Sequence, residues 1–430
     1  MKKLLYILLI LPFFMNGQGW EMTYGGLNHE EGQSVKQTND GGYIIVGITD
    51  ASSPSRDVWL LKTNELGDTL WTKTYGGNGY DLAFSVQQTT DSGYIICGWT
   101  ESYSSGNHED IWLVKTDYNG DTLWTNTYGG IYEDWGLEVQ ESMEGGYIIV
   151  GTSMDNTNNV LLIKVNEFGN EQWTKSYDGG NSDYGYSVKQ TTDGGYIITG
   201  ITYPFGAIKP DVWLIKTDNI GDTLWTKTFG DSGADIGLCV QQTIDGGYIL
   251  TGCTYSYGNG DFDVWLIKTD NIGNQQWSKT YGGLNSDKGY EVQQTIDGGF
   301  IITGYTESFG NGQLFNSDVW LIRTDNIGDT LWTKTFGDLG MDRGFGLDQT
   351  IDSCYVITGI TSVSGNNQLY LIKTDDNGNI TSTFNIPTPN PNRKIESIVD
   401  ILGRETKPKS NTPFIEIYDD GTVEKRIVIE

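Results

Sequence analysis

Four cysteines and two histidines in 430 residues leave little material for thiol, imidazole or metal chemistry. His29 and His108 lie in separate polar, Gly-rich segments. Neither has a Cys or a second His at ligand spacing, so a zinc site is not indicated. Nothing recommends a Ser-His-Asp arrangement either. Both histidines read as exposed loop residues. The cysteines show no CxxC spacing and no small disulfide framework. Cys239 and Cys253 flank one predicted hairpin, where they read equally as a cross-strand pair or as two isolated thiols. Basic residues are also scarce, with 27 Lys and Arg against 56 Asp and Glu, a net charge of -29. That excludes a general affinity for nucleic acid and disfavours an anionic membrane surface. No cofactor motif is present. After the first residues no apolar run is long enough to span a bilayer, and no stretch repeats its apolar residues with a helical period.

The exception at the N-terminus is Lys2-Lys3, an apolar run from Leu4 to Phe14, then Asn16-Gly17-Gln18. A basic start, a short apolar stretch and a small residue describe a signal peptide over residues 1–17. The chain is then secreted or displayed on the outer cell surface. In that setting the acidity reads as solubility.

What is abundant is glycine, 58 residues, and aromatic side chains, 12% of the chain. Together they suggest short strands and tight turns. Internal repetition is plain. Trp recurs at 20, 71, 124, 173, 225, 277 and 332, at intervals of 49 to 55 residues. One copy reads GYSVKQTTDGGYIITG over Gly185–Gly200 and DVWLIKTDNIGDTLWTKTFG over Asp211–Gly230. Each unit offers four strands, A (SVKQT), B (GYIITG), C (DVWLIKTD) and D (TLWTKT). Asp-Gly-Gly marks the A–B hairpin. Strand C is apolar on both faces, with Val212 and Leu214 on one and Trp213 and Ile215 on the other. Such a strand is sandwiched between sheets. Four-stranded sheets packed face to face around an axis make a propeller.

The register predicts a ring. The chain opens with an orphan D strand, Trp20–Tyr24. It ends with A, B and C strands near Gly344–Thr350, Tyr355–Thr361 and Leu369–Thr374, where NGNITSTF replaces the D pattern. The fold is therefore all-β, a seven-bladed β-propeller over residues 18–384, closed by the N-terminal strand. The phrases YGGxxxDxGxxVxQTxDGGYIIxGxT and DVWLIKTDxxGxxxW resemble the bacterial seven-bladed β-propeller repeat family known as SBBP, from about Trp20 to Thr383. The resemblance implies the fold and an exported setting, and no activity.

Residues 385–430 differ. Five of the nine prolines, Pro387, Pro389, Pro391, Pro408 and Pro413, mark a linker. Strand-like SIVDILGRE (397–405) and PFIEIYDDGTVEKRIVIE (413–430) follow. Asn390-Pro391, VDILGRE and the basic-then-apolar end resemble the type A C-terminal sorting domain of the type IX secretion system of Bacteroidetes. That likeness implies a short β tail addressed to the type IX secretion machinery.

A carboxylate recurs two residues before the Gly or Ala that opens each A strand: Glu30, Asp81, Asp134, Asp183, Asp235, Asp287 and Asp342. As an acidic ring at a channel mouth these would hold a cation with oxygen ligands. A side chain repeated in every blade reads more simply as an Asx-type bond to a loop N–H. A basic residue ends each C strand (Lys62, Lys115, Lys164, Lys216, Lys268, Arg323, Lys373), spread one per blade, and reads as paired with nearby carboxylates or simply solvated rather than as a basic patch. The strand C tryptophans read as core. Trp135, beside Tyr132 in a D–A loop, lies outside the repeated Trp positions. Trp135 reads as packing at least as readily as binding; with the unequal B–C loops, these two residues are the ligand-face candidates, because variable loops on a rigid scaffold are where binding sits. The expected function is a secreted or cell-surface binding module for a glycan or protein partner. The alternatives are a propeller-fold polysaccharide hydrolase or lyase and a structural surface-layer protein. The symmetry of the repeats argues against an enzyme, which needs unlike polar groups converging in one sector.

Overall fold

Trp, Tyr and Gly at fixed places in each repeat set how the repeats join. The computed structural model describes residues 19–380, apart from 27, 51–54, 107, 155–156, 205–207, 311–315 and 364–365, and in the tail 394–400, 404, 406–407, 414–418 and 423–426. Every regular element among these residues is a β-strand. Seven four-stranded antiparallel sheets form the blades of a propeller. The A strands are β2 (Glu30–Gln37), β6 (Asp81–Gln88), β10 (Asp134–Glu141), β14 (Asp183–Gln190), β18 (Asp235–Gln242), β22 (Asp287–Gln294) and β26 (Arg343–Gln349). In six blades A to D run in chain order. The seventh runs β26, β27 (Tyr355–Val363), β28 (Asn366–Thr374) and β1 (Trp20–Tyr24).

Closure is as the register predicts. Strand β1 pairs antiparallel with β28 from Trp20↔Lys373 to Tyr24↔Leu369. The N-terminal strand is thus the D strand of the last blade, which leaves no blade with a missing outer strand.

Blade-to-blade packing repeats one device. The D-strand Trp of each blade lies on the strand B Tyr or Phe of the next, with ring centroids 5.9–6.2 Å apart in all seven pairs. The same indole covers the Gly of the next blade's C–D turn. A Cβ at Gly221 would lie 2.8 Å from the Trp173 ring, and Gly221 has φ +80°, so both space and backbone require glycine there. Tyr177 Oη then donates to Gly221 O at 2.8 Å. At the closing seam Trp20 packs edge-on against Tyr43 at 5.9 Å, as in the continuous joints.

The two apolar faces of strand C serve different joints. Trp213 and Ile215 pack in one cluster with Tyr196 and Val160. Val212 and Leu214 pack in the next with Val240 and Tyr248. Trp112, Trp213, Trp265 and Trp320 are all buried.

The chain divides after Ile380. Its second unit, Thr381–Glu430, contains a three-stranded antiparallel sheet of β29 (Ile395–Asp400), β30 (Phe414–Tyr418) and β31 (Val423–Arg426). Residues 1–17, and most of the Pro-rich segment from 387, lie outside the described residues.

Candidate functional site

The seven acidic residues that open the A strands are buried, none exposing more than 4% of its surface. Each accepts a bond from the backbone N–H four residues earlier. Gly77 to Asp81 is 2.8 Å, Gly130 to Asp134 2.8 Å and Gly179 to Asp183 2.7 Å. Asp81, Asp235 and Asp287 also accept hydroxyl bonds from the Thr and Ser that end strand B: Thr100 and Ser102, Thr254 and Ser256, Thr306 and Ser308. In five blades a second carboxylate comes from the start of the preceding strand C: Asp57, Asp110, Asp263 and Asp318, all buried, and Asp211, half-buried. The paired carboxylates pack against the first Gly after strand D. A Cβ at Gly282 would fall 1.7 Å from Asp263 Oδ1 and 2.8 Å from Asp287 Oδ2. Burial, then the neighbouring carboxylate, pushes the pKa of Asp211 above the usual range, and Asp263 is raised in the same setting. Among the described residues no group of three or more His, Cys, Asp or Glu is placed to hold a metal ion.

The basic residues ending the C strands reach the A–B turns. Lys216 Nζ lies 3.0 Å from Asp193 Oδ2, and Lys62, Lys115, Lys268, Arg323 and Lys373 make the equivalent pair. Blade three departs, with Glu144 in place of the turn Asp. Lys164 there bonds the carbonyls of Gly145 (2.6 Å) and Val165 (3.5 Å). Burial lowers its pKa.

The B–C and D–A loops interleave on the opposite face. Asp81 N–H donates to Arg56 O at 2.8 Å and Tyr103 Oη to Gly76 O at 2.7 Å. Exposed aromatics gather there: Tyr80, Tyr103, Tyr132, Tyr255, Tyr257 and Phe309. Tyr103, Tyr257 and Phe309 each pack on a strand C indole (Trp112, Trp265, Trp320) at 5.1–5.4 Å. Tyr132 is 41% exposed. Trp135 stands not in the D–A loop but in strand β10, opposite Thr152; it is half-buried, and its indole N–H is enclosed without an acceptor. Residues 155–156 and 311–315 of the B–C loops lie outside the described residues.

Cys239 and Cys253 do not face each other. Cys239 stands opposite Thr251 and Cys253 opposite Ile236. All four cysteines are unpaired and buried.

The axial channel holds what repeat-level reading missed. Every A strand carries a β-bulge just after its opening Gly or Ala. A bulge re-aims one side chain. The inserted residues are Gln33, Phe84, Leu137, Tyr186, Leu238, Tyr290 and Phe345, and all seven line a cavity of about 200 Å³ on the axis. Below this collar, side chains from four blades accept backbone N–H bonds from the next. Ser85 accepts from Val139 (3.3 Å), Glu138 from Val188 (2.7 Å) and Glu291 from Leu347 (2.7 Å). Two residues on, Gln87, Gln140, Gln241, Gln293 and Asp348 do the same at 2.7–3.0 Å.

In that second tier Lys36 and Lys189 break the pattern, because an ammonium has no acceptor. Lys36 Nζ meets Glu291 Oε1 (3.2 Å), Leu347 O (3.3 Å) and Asp348 Oδ1 (3.7 Å). Lys189 pairs with Glu138. Burial lowers both lysine pKa values, but the facing carboxylates outweigh it and raise them, so both stay charged. Unlike polar groups therefore do converge, and the symmetry expected from the repeats fails on the axis. The signal was present in the third residue of SVKQT, which reads Lys, Gln, Gln, Lys, Gln, Gln, Asp around the ring.

No family model and no curated protein sequence matches this chain. Among solved structures it is similar to polysaccharide lyase Uly1, at 13% identity and a TM-score of 0.52, over 82% of this chain and 91% of that one. Sqt1 from Chaetomium thermophilum aligns at 9% identity and TM-score 0.49, over 96% and 99%. YCF48 bound to D1 peptide aligns at 10% and 0.49, over 85% and 99%. At these identities the likeness is one of fold.

Proposed function

We propose that this chain is a secreted or surface-displayed binding module that holds a glycan or a protein partner on its B–C and D–A loop face. The observation that carries the reading is the gathering of exposed aromatic side chains on that face. Aromatic contacts of this kind contribute about 1 kcal/mol each. The opposite face is built from turns of one pattern, varied by Glu144 in one A–B turn and by exposed Tyr118 and Phe168 in two C–D turns. The aromatic content favours a glycan over a protein. Export rests on the signal-peptide pattern of residues 1–17 and on the likeness of residues 385–430 to type IX sorting tails of Bacteroidetes. The SBBP likeness rests on the repeat residues themselves.

A second reading, a polysaccharide-acting enzyme, is favoured by one observation: Glu138, Glu291, Lys36 and Lys189 are unlike groups lining one cavity. The fold neighbour that is a polysaccharide lyase fits that reading without carrying it.

Probing a glycan array and a surface-protein pull-down with the full chain tests the proposal. Trp135→Ala, Tyr132→Ala and a short uniform loop in place of 310–317 are expected to weaken capture. Unchanged capture by all three, with loss on altering the Asp-Gly-Gly turns, would place the ligand on the other face. Turnover of a captured glycan would favour the enzyme reading.

A further inference from the structure

We infer that the axial channel takes one uncharged sugar unit, the end of a neutral glycan chain, held between the aromatic collar and the Lys–Glu tier. The inference rests on the glycan reading above and names its ligand class. It begins from two lysines that the ring does not need. Glutamine at the same position in four blades accepts a neighbour's N–H and helps tie the ring together. Lys36 and Lys189 give up that acceptor. Their ion pairs, with side chains 19–27% exposed, return little stability in exchange. A charge kept at such a place is there to meet something in the bore.

The chemistry presented is specific. Lys36 donates to Glu291 and Leu347 O and faces Asp348 at 3.7 Å. Lys189 lines the cavity and bonds Glu138 and no other acceptor among the described residues, which leaves its ammonium donors to spare. An ammonium with free donors beside a carboxylate suits a hydroxyl, which accepts from one and donates to the other. On the collar above, Tyr186, Tyr290 and Phe345 line the same cavity, Tyr290 packed edge-to-face on Phe345 at 5.1 Å, and supply aromatic surface for the C–H side of a sugar. Polar and apolar groups share the lining about equally, the balance a sugar presents with its hydroxyl rim and C–H face.

Charge and size narrow the class. Lys36 and Lys189 against Glu138, Glu291 and Asp348 leave the tier at -1, inside a chain of -29. That field opposes uronic acids and sulfated sugars. The cavity of about 200 Å³ equals roughly seven waters at about 30 Å³ each, the scale of one sugar unit rather than a through-running polymer. The A strands run from the loop face to the turn face, so the collar is on the loop side of the tier and the glycan end enters from the loops.

The test is calorimetric titration of the full chain with methyl glucoside, galactoside, mannoside and glucuronide. At least one neutral hexoside is expected to bind, with the glucuronide at least tenfold weaker. Glu138→Ser combined with Lys189→Gln rebuilds the tier with residues found in other blades. It should melt at or above the parent temperature and bind at least tenfold more weakly. Leu137→Trp fills the collar without touching the charges and should block binding as well. Binding of the glucuronide as well as or better than the hexosides, absence of hexoside binding, or full binding by both variants would overturn the inference. If array capture survives in the double variant while hexoside binding was never present, the channel assignment falls and the loop-face reading stands. If neither the array nor the hexosides give binding, both fall.

Discussion

Removing the Trp20 ring tests the closing seam against an internal standard, because the same joint occurs six more times in one continuous chain. Trp20 is half-buried and contacts Tyr43 at 5.9 Å. Trp173 is also half-buried and contacts Tyr196 at 6.1 Å. Truncating a fully buried Trp costs about 3–5 kcal/mol, so a half-buried one with a single aromatic partner should cost about 2–3 kcal/mol. Unfolding entropy of about 2.1 cal/mol/K per residue, over the 380-residue first unit, converts this to a fall of roughly 3–4 °C. Trp20→Ala and Trp173→Ala should therefore lower the melting temperature by similar amounts in differential scanning calorimetry. Deleting Trp20–Tyr24 should cost more, because five residues of β28, Leu369 to Lys373, lose their partners and become an open edge prone to pairing with other copies. Light scattering should then report aggregation. A deletion variant that stays monodisperse at the parent melting temperature would refute the closed ring. So would a neutral Trp20→Ala beside a costly Trp173→Ala.

Other joints make separate predictions. Lys216→Met removes a charge-assisted bond to Asp193 and should cost about 1–2 kcal/mol, whereas Lys164→Met, at a lysine bonded only to carbonyls, should cost less than half of that in chemical denaturation. Around the A–B turns, burial raises the pKa of Asp245, but bonds from Thr243, Lys268 and Gly247 N–H outweigh it and lower the value. Its stabilisation is thus present above the unfolded carboxylate range near pH ~4 and lost as pH falls through the folded value; Asp245→Asn should lower the melting temperature at pH 7 and flatten its decline in acid. Asp211 has the opposite sign, raised by burial and by Asp235, so Asp211→Asn should raise the melting temperature at pH 7, with the gain shrinking as pH falls. Deleting residues 385–430 should leave a folded propeller retained in the periplasm of a type IX-competent host, and equal surface levels in a fractionation blot would contradict the sorting role.

Much of the fold was legible because one pattern was written seven times. Trp at strand D, Asp-Gly-Gly at the hairpin and the doubly apolar DVWLIKTD each state a local preference, and their period states the ring. The orphan Trp20–Tyr24 stated its closure. The candidate site was less legible for the same reason. Attention to what repeats hides what does not. The bulge after Gly32, Gly185 and their equivalents changes the alternation of strand A, so a strict two-residue period misassigns Tyr186 and Tyr290, which line the bore. The Lys36–Glu291 contact joins residues 255 apart, and only the closed ring brings them together. The Cys239–Cys253 alternative is decided by register, which sets Cys239 opposite Thr251 and Cys253 opposite Ile236 and leaves two isolated thiols.

Hydrogen exchange of the full chain, with and without the glycan that the array selects, tests the proposed binding face most directly. Binding there should slow exchange in the loops around 101–106, 131–135, 255–262 and 307–310, and in the inward-facing A strands, while the Asp-Gly-Gly turns at 40–42, 193–195 and 245–247 exchange unchanged. Protection confined to those turns, with the loops unaffected, would contradict it.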